Sequence, residues 1–419
     1  MAEQRNIPAD LVEIGTLARP HGIRGEIRVN YYADSLELLR GDVVYLQAGN
    51  KPPRKMEIDT VRMHQGTPLI RFVEAPDRTA AEFLRGQTLL IPESALPELD
   101  EDEVYLHDML GLSVVLDIVL NHVGPEGNYL PLLSPAFFHQ DRMTPWGNGI
   151  AYEVEAVRQY IAEAPLFWLS EYHLDGLRFD AIDDNAETHI LPEIAQRIRD
   201  AFPDRHIHLT TEDSRNVIFL HPRDEHGQTP LFTAEWNDDF HNAAHVFATG
   251  ESHAYYQDFA FEPEKKLARA LAEGFVYQGE ISLQTGKSRG VECREQPPQF
   301  FVDFIQNHDQ VGNRAQGERL ISLAGAEKTR VLFAALLLSP HIPLLFMGEE
   351  YGETHPFLFF TDFHGDLAKA VREGRAKEFT GHAGHDETVP DPNDVNTFMR
   401  SKLDWNKADT EEGRAWLHV

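Results

Sequence analysis

Leu174-Asp175-Gly176-Leu177-Arg178-Phe179-Asp180-Ala181-Ile182 is the stretch on which the fold turns. It reads as a short buried strand with charge at its C-terminal end. Apolar residues bracket Arg178 and Asp180, which stand two apart and so share one side of a strand. Both groups are costly to bury unless they serve each other or a ligand. In a barrel of parallel strands, that end carries the catalytic residues. Asp180 is therefore a candidate nucleophile. A purely structural Arg178–Asp180 pair is the alternative, and the neighbouring strands decide between them.

From Leu112 onward, apolar strands alternate with helical patterns, the texture of βαβ units and a parallel sheet. Leu112–Leu120 is a near-continuous apolar run interrupted by Ser113 and Asp117, and it ends in Asn121-His122. Helical patterns cover Glu153–Ser170, Pro192–Phe202, Glu264–Glu273 and Thr329–Leu338. Further strands are expected at Ile207–Thr211, ending at Glu212-Asp213, and at Leu231–Trp236, ending in Asn237-Asp238-Asp239. Two more are Phe300–Gln306, ending in Asn307-His308-Asp309, and Pro343–Met347, ending in Gly348-Glu349-Glu350. Six strands thus run into polar or ionisable residues. One could be chance; six in order suit an α/β barrel with its site at one face.

Glycosidic cleavage needs one carboxylate to attack the anomeric carbon and one to protonate the leaving oxygen. Asp180 and Glu212 end successive strands and fit these roles, at ~5–5.5 Å from each other in a retaining mechanism. Arg178 is expected to orient Asp180, and burial with nearby negative charge to keep Glu212 protonated. Asp309 can grip a pair of hydroxyls and steady positive charge in the transition state. His122 and His308 can donate to sugar hydroxyls. Trp236, Tyr129, Phe357 and Phe360 offer aromatic faces for sugar rings, although such rings are more often packing.

The first hundred residues have a different texture. Short β-rich runs (Leu11–Leu17, Glu26–Tyr32, Val43–Gln47, Met56–His64, Thr67–Val73, Leu89–Ile91) alternate with Gly-, Pro- and Asp-rich turns, as in a small β-barrel or sandwich. A helix at Thr79–Arg85 has Asp77 as its cap. Gly22 and Gly25 bracket a tight turn. The acidic run from Glu98 to Glu103 reads as a solvated linker.

The chain's 419 residues allow two or three domains, and 42% hydrophobic content suits a large core. With 68 acidic against 38 basic residues, the net charge of −30 disfavours direct nucleic-acid binding or an anionic membrane surface. One cysteine, Cys293, excludes a disulfide framework within the chain, and Met1–Asp10 is polar, so a cytoplasmic setting is expected. No metal-ligand cluster, phosphate loop or cofactor motif stands out.

Two resemblances sharpen these readings. Gly15-Thr16-Leu17-Ala18-Arg19-Pro20-His21-Gly22-Ile23-Arg24-Gly25-Glu26-Ile27-Arg28-Val29 resembles the opening signature of the ribosome maturation factor RimM. Thr79-Ala80-Ala81-Glu82-Phe83-Leu84-Arg85-Gly86 and Glu103-Val104-Tyr105-Leu106-His107-Asp108-Met109-Leu110-Gly111 are also similar to that family. It implies a six-stranded barrel, binding to a small-subunit ribosomal protein, and a second barrel beginning near Val104. The later chain is similar to the α-amylase superfamily, glycoside hydrolase family 13. The four regions are Asp117-Ile118-Val119-Leu120-Asn121-His122, Gly176-Leu177-Arg178-Phe179-Asp180, Thr211-Glu212-Asp213 and Phe304-Ile305-Gln306-Asn307-His308-Asp309. The resemblance implies Asp180 as nucleophile, Glu212 as acid/base, Asp309 as transition-state stabiliser, and Arg178, His122, His308 and Asn121 as supporting contacts.

A finer resemblance, to the maltooligosyltrehalose trehalohydrolase family, is carried by Glu235-Trp236-Asn237-Asp238-Asp239-Phe240-His241, Ala272-Glu273-Gly274-Phe275-Val276-Tyr277-Gln278-Gly279 and Asn307-His308-Asp309-Gln310-Val311-Gly312-Asn313-Arg314. It implies hydrolysis of the α-1,4 bond next to a terminal trehalose unit, on an α-1,4-glucan substrate. The expected architecture is multidomain: a small all-β barrel followed by an incomplete TIM-type α/β barrel lacking its first two βα units. The segments are a RimM-like barrel at 1–97, an acidic linker and the start of a truncated second domain at 98–112, a partial catalytic barrel at 113–380 and a tail at 381–419. Open barrel edges make weak catalysis an expectation. The rival reading is a non-enzymatic ribosome assembly factor.

Overall fold

The computed structural model describes residues 8, 11–32, 36–39, 43–64, 67–96, 112–124, 127–144, 147–182, 190–227, 229–379 and 389–418. The acidic run at 98–103 and the start of a second RimM-type barrel near 104 lie outside them. The chain divides into two compact units, Met1–Leu110 and Gly111–Val419.

In the first unit six antiparallel strands form a closed barrel: β1 (Leu11–His21), β2 (Glu26–Tyr31), β3 (Val43–Gln47), β4 (Arg54–His64), β5 (Thr67–Phe72) and β6 (Thr88–Pro92), in the order β1-β2-β5-β4-β3-β6. Alternation fixes which side chains enter. Leu17, Ile27, Val29, Val44, Leu46, Ile70, Phe72, Leu89 and Ile91 fill the interior, each large side chain stabilising by about 1.5–3 kcal/mol. β1 runs past its expected end at Leu17 to His21, through an irregularity in its pairing with β2 between Leu17 and Pro20. Gly25 has φ +82°, and a Cβ there would meet the Ala75 carbonyl oxygen at 2.1 Å, so the turn requires glycine. Asp77 caps the helix Arg78–Glu82 by accepting from the Ala80 N–H at 2.9 Å, a contact worth about 1 kcal/mol.

The second unit is built on a parallel sheet: β7 (Val115–Ile118), β10 (Gly176–Phe179), β11 (His208–Thr211), β12 (Ala234–Trp236), β13 (Phe301–Asp303) and β14 (Ile342–Pro343), each strand beside its predecessor. A separate hairpin, β8 (Phe138–Thr144) and β9 (Gly147–Ile150), lies between β7 and β10 in sequence. Among the described residues the six-stranded sheet does not close, so β7 and β14 are its edges. That explains why Leu112–Leu120 is less buried than its apolar run suggests. With a neighbour on one side only, Val114, Val115 and Val119 stay partly exposed and Leu112 is 64% exposed. The remaining strands are shorter than their apolar runs, and β14 ends at Pro343, short of the expected Met347.

Helices cover the inner strands. Ile190–Ala201 buries Ile190, Leu191, Ile194, Ala195 and Ile198 on one stripe. From its last turn Arg199 donates to the carbonyls of Ile207 and Leu231, both at 2.7 Å, which fixes the entries to β11 and β12. Arg205 likewise donates to the Leu174 carbonyl at 2.7 Å, just ahead of β10. No helix among the described residues is long and apolar enough to cross a membrane.

Candidate active site

All four residues of β10 are buried. Leu177 and Phe179 join the core on one side, which leaves Arg178 on the other. The register sets Arg178 opposite Asp117 of β7 and Thr210 of β11. Arg178 is only 3% exposed, yet its charge is well matched. Nη1 donates to both oxygens of Asp117, at 2.8 and 2.7 Å, and to Asp180 Oδ1 at 2.6 Å, while Nη2 donates to Glu212 Oε2. The Trp236 ring lies 4.0 Å from the guanidinium carbon, a cation–π contact in a desolvated place. One guanidinium thus holds three carboxylates from three adjacent strands.

The chain turns sharply after Asp180. Ala181 has φ +42°, in the left-handed region that a residue with a Cβ enters only at a cost of about 1–2 kcal/mol. The strain aims two backbone groups. The Ala181 N–H donates to Glu212 Oε2 at 2.9 Å, and its carbonyl accepts from Asn121 Nδ2 at 3.2 Å. Among the described residues, both donors to Glu212 therefore reach the same oxygen, Oε2. Burial pushes the Glu212 carboxyl up to about 8; Arg178 and the Ala181 N–H pull it down, while Asp238 and Asp309 push it up. It is protonated at neutral pH, as a general acid must be.

The other expected residues are placed as follows. Asn121 is buried, and its side chain is spent on the Ala181 carbonyl and on His122, so it braces the site from within. Asn307 caps the helix His308–Gly312, which carries His308 and Asp309, both partly exposed, with His308 Nε2 3.7 Å from Asp309 Oδ1. His308 meets the Trp236 ring edge-on at 6.4 Å. Trp236 thus supports Arg178 on one face. Tyr129 is 67% exposed at the start of the helix Leu130–Leu133, whose bonds there are to its backbone. Phe357 and Phe360 pack edge-on against each other at 5.9 Å, within a cluster that includes Phe346 and Phe398. Three contributors carry no assigned role in the sequence reading: Asp117, Ala181 and Asp238. Asp117 carried a usable signal, a charge inside an apolar run. A cavity of about 890 Å³ opens on the Glu212 side, lined among others by Ser214, Asp238, Tyr255, Lys287 and Asp309.

Comparison with known proteins assigns the two units. Residues 12–96 match the RimM N-terminal domain, and residues 138–418 match the alpha amylase catalytic domain. The malto-oligosyltrehalose trehalohydrolase of Saccharolobus solfataricus is 41% identical over 303 residues, which cover 71% of this chain and 51% of that protein. Its counterpart in Deinococcus radiodurans is 41% identical over 316 residues, 74% of this chain and 51% of the other. The chain spans about half the length of these curated relatives. The ribosome maturation factor RimM of Nitratidesulfovibrio vulgaris is 56% identical over 113 residues, 27% of this chain and 64% of that one. Among solved structures, an alpha-amylase-type protein from Salmonella typhimurium superposes with a TM-score of 0.71 and 76% identity, covering 74% of this chain and 53% of its own.

Proposed function

Because this chain belongs to the alpha-amylase family, we propose that it is a retaining α-glycoside hydrolase that acts on α-1,4-glucans ending in trehalose. The observation that carries the reading is the sharing of one buried guanidinium by Asp180 and Glu212, with Glu212 protonated. That contact gathers the two carboxyls at one guanidinium, and a double displacement needs them near each other. In the first step Asp180 attacks the anomeric carbon as the glycosidic bond breaks, and Glu212 gives its proton to the departing trehalose oxygen. In the second step the ionised Glu212 takes a proton from water, which displaces Asp180 and restores both groups. Asp309 grips hydroxyls and steadies the positive charge, with His122 and His308 as hydrogen-bond donors to the sugar. The trehalohydrolase relatives support trehalose as the leaving group. Trehalose release from maltooligosyltrehalose, abolished by Asp180→Asn, tests the reading; no release by the intact chain overturns it.

The barrel favours a second activity alongside the first. Its closed six-stranded form and its match to RimM support binding to a small-subunit ribosomal protein. Co-sedimentation with small-subunit precursors checks this, and an unbound chain at equal concentration argues against it. The lone cysteine agrees with a cytoplasmic setting for both.

A further inference from the structure

The cavity beside Glu212 has an organised wall. Residues 278–290 form a small hairpin: Ile281 bridges Ser288, Gly279 N–H donates to the Arg289 carbonyl at 2.8 Å, and Ser282 N–H to the Lys287 carbonyl at 2.9 Å. Its tip supplies Gln284, Thr285, Lys287 and Ser288 to the cavity. The cavity is lined as well by Ser214 and Arg215, which follow closely on Glu212, and by Asp238 and Asp309, whose charges act on Glu212; neither Glu212 nor Asp180 itself lines it. It therefore adjoins the acid's end of the site, where a group protonated by Glu212 departs.

We propose that this hairpin selects the leaving disaccharide, and that Asp258, buried beneath it, is the positioning residue that sets its shape. The inference rests on the glycosidase reading above. Asp258 is buried, and its carboxylate is spent on the hairpin: Oδ2 accepts from Ser282 Oγ at 2.7 Å, and Oδ1 from the N–H groups of Leu283 and Gln284 at 2.6 and 3.0 Å. Three bonds at the bend fix the direction of the tip. The returning strand has its own anchor. Buried Asp239 accepts from the N–H groups of Val276 and Tyr277 and pairs with Arg289 Nη2, each at 2.8 Å. Arg289 Nε in turn donates to the Ser214 carbonyl at 2.9 Å, tying the hairpin to the segment that follows Glu212. Neither aspartate lines the cavity, so each acts through the hairpin.

The chemistry of the wall suits the ligand. Trehalose differs from the end of a plain glucan in its α,α-1,1 link and its lack of a reducing end, so its hydroxyls stand in a different pattern. Amide, hydroxyl and ammonium groups on one short hairpin read such a pattern, and a polar site rejects a ligand that leaves its groups unpaired.

The test compares trehalose-terminated and plain maltooligosaccharides of equal length, together with calorimetric binding of free trehalose, using the full chain. Asp258→Ala is expected to lower the preference for the trehalose-terminated substrate by about tenfold or more, through KM rather than kcat. Asp258→Asn, which can still accept the two N–H bonds and donate to Ser282, restores it. Lys287→Ala, at an exposed tip, keeps the wild-type Tm and lowers both the preference and trehalose affinity, so it decides the matter if Asp258→Ala does not fold. Unchanged preference and affinity in an active Lys287→Ala protein overturn the proposal and leave the glycosidase reading intact. Lys287-dependent trehalose binding by a chain that cleaves nothing keeps the site and removes that reading. Absence of both binding and cleavage removes both.

Discussion

Replacing Arg178 by Met isolates what the central guanidinium does. Asp117 is 48% exposed, so its share is screened and worth about 0–1 kcal/mol. Glu212 is protonated near neutral pH and loses a hydrogen bond rather than an ion pair. Asp180 decides the outcome: its side chain is 22% exposed, and without Arg178 it is a largely buried, uncompensated charge. Removing one partner of such a pair costs about 3–5 kcal/mol. For a unit of this size, at about 2 °C per kcal/mol, the catalytic unit should melt some 6–10 °C lower. Calorimetry at neutral pH measures the loss. A shift below about 2 °C, on the same scale, would refute the view that Arg178 holds Asp180 in place.

Three further outcomes are expected. Asp180→Asn should lower trehalose release by about a thousandfold or more while leaving the fold intact, as circular dichroism can show; residual turnover near wild type argues against nucleophilic attack. Glu212 has a folded-state value of about 8, above its ordinary 4.5, so its stabilising contribution is complete below 4.5 and lost as pH rises through 8. Activity should fall over the same upper limb, and Glu212→Gln should gain stability relative to wild type at pH 9 but not at pH 5; parallel stability curves would count against this. Gly290→Ala forces a Cβ to 1.9 Å from the Tyr277 carbonyl oxygen at φ +82°, which should cost about 2–5 kcal/mol; an unchanged Tm would show that the hairpin relaxes freely.

Much of this architecture is legible in the residues themselves. β3 spans Val43–Gln47 as its alternation indicates, and the Asp77 cap forms as its residue type indicates. In a small barrel one side of each strand is wet, so the period of two survives in the sequence. Inner parallel strands such as β10 and β13 lack that contrast, because they are buried throughout, and their ends are correspondingly hard to place. The site is legible where it depends on residue type at a strand end, as for Arg178, Asp180 and Glu212. It is not legible where it depends on register or dihedral angle. Asp117 meets Arg178 across 61 positions of chain, a pairing that only strand alignment creates. Ala181 is an ordinary small residue in the sequence, and only the backbone turn gives its N–H a role.

The edge position of β7 bears on how the protein is made. The barrel's last strand ends at Pro92, so every strand it needs has been synthesised early. β7 must wait for β10, whose Arg178 pairs with Asp117. At ribosomal rates of about 5–20 residues per second, that interval is roughly 3–12 s. During it, Val115, Leu116 and Ile118 have no sheet to join. A nascent chain in that interval is a natural client for chaperones that hold apolar segments, and slow codons between the two strands would lengthen the wait.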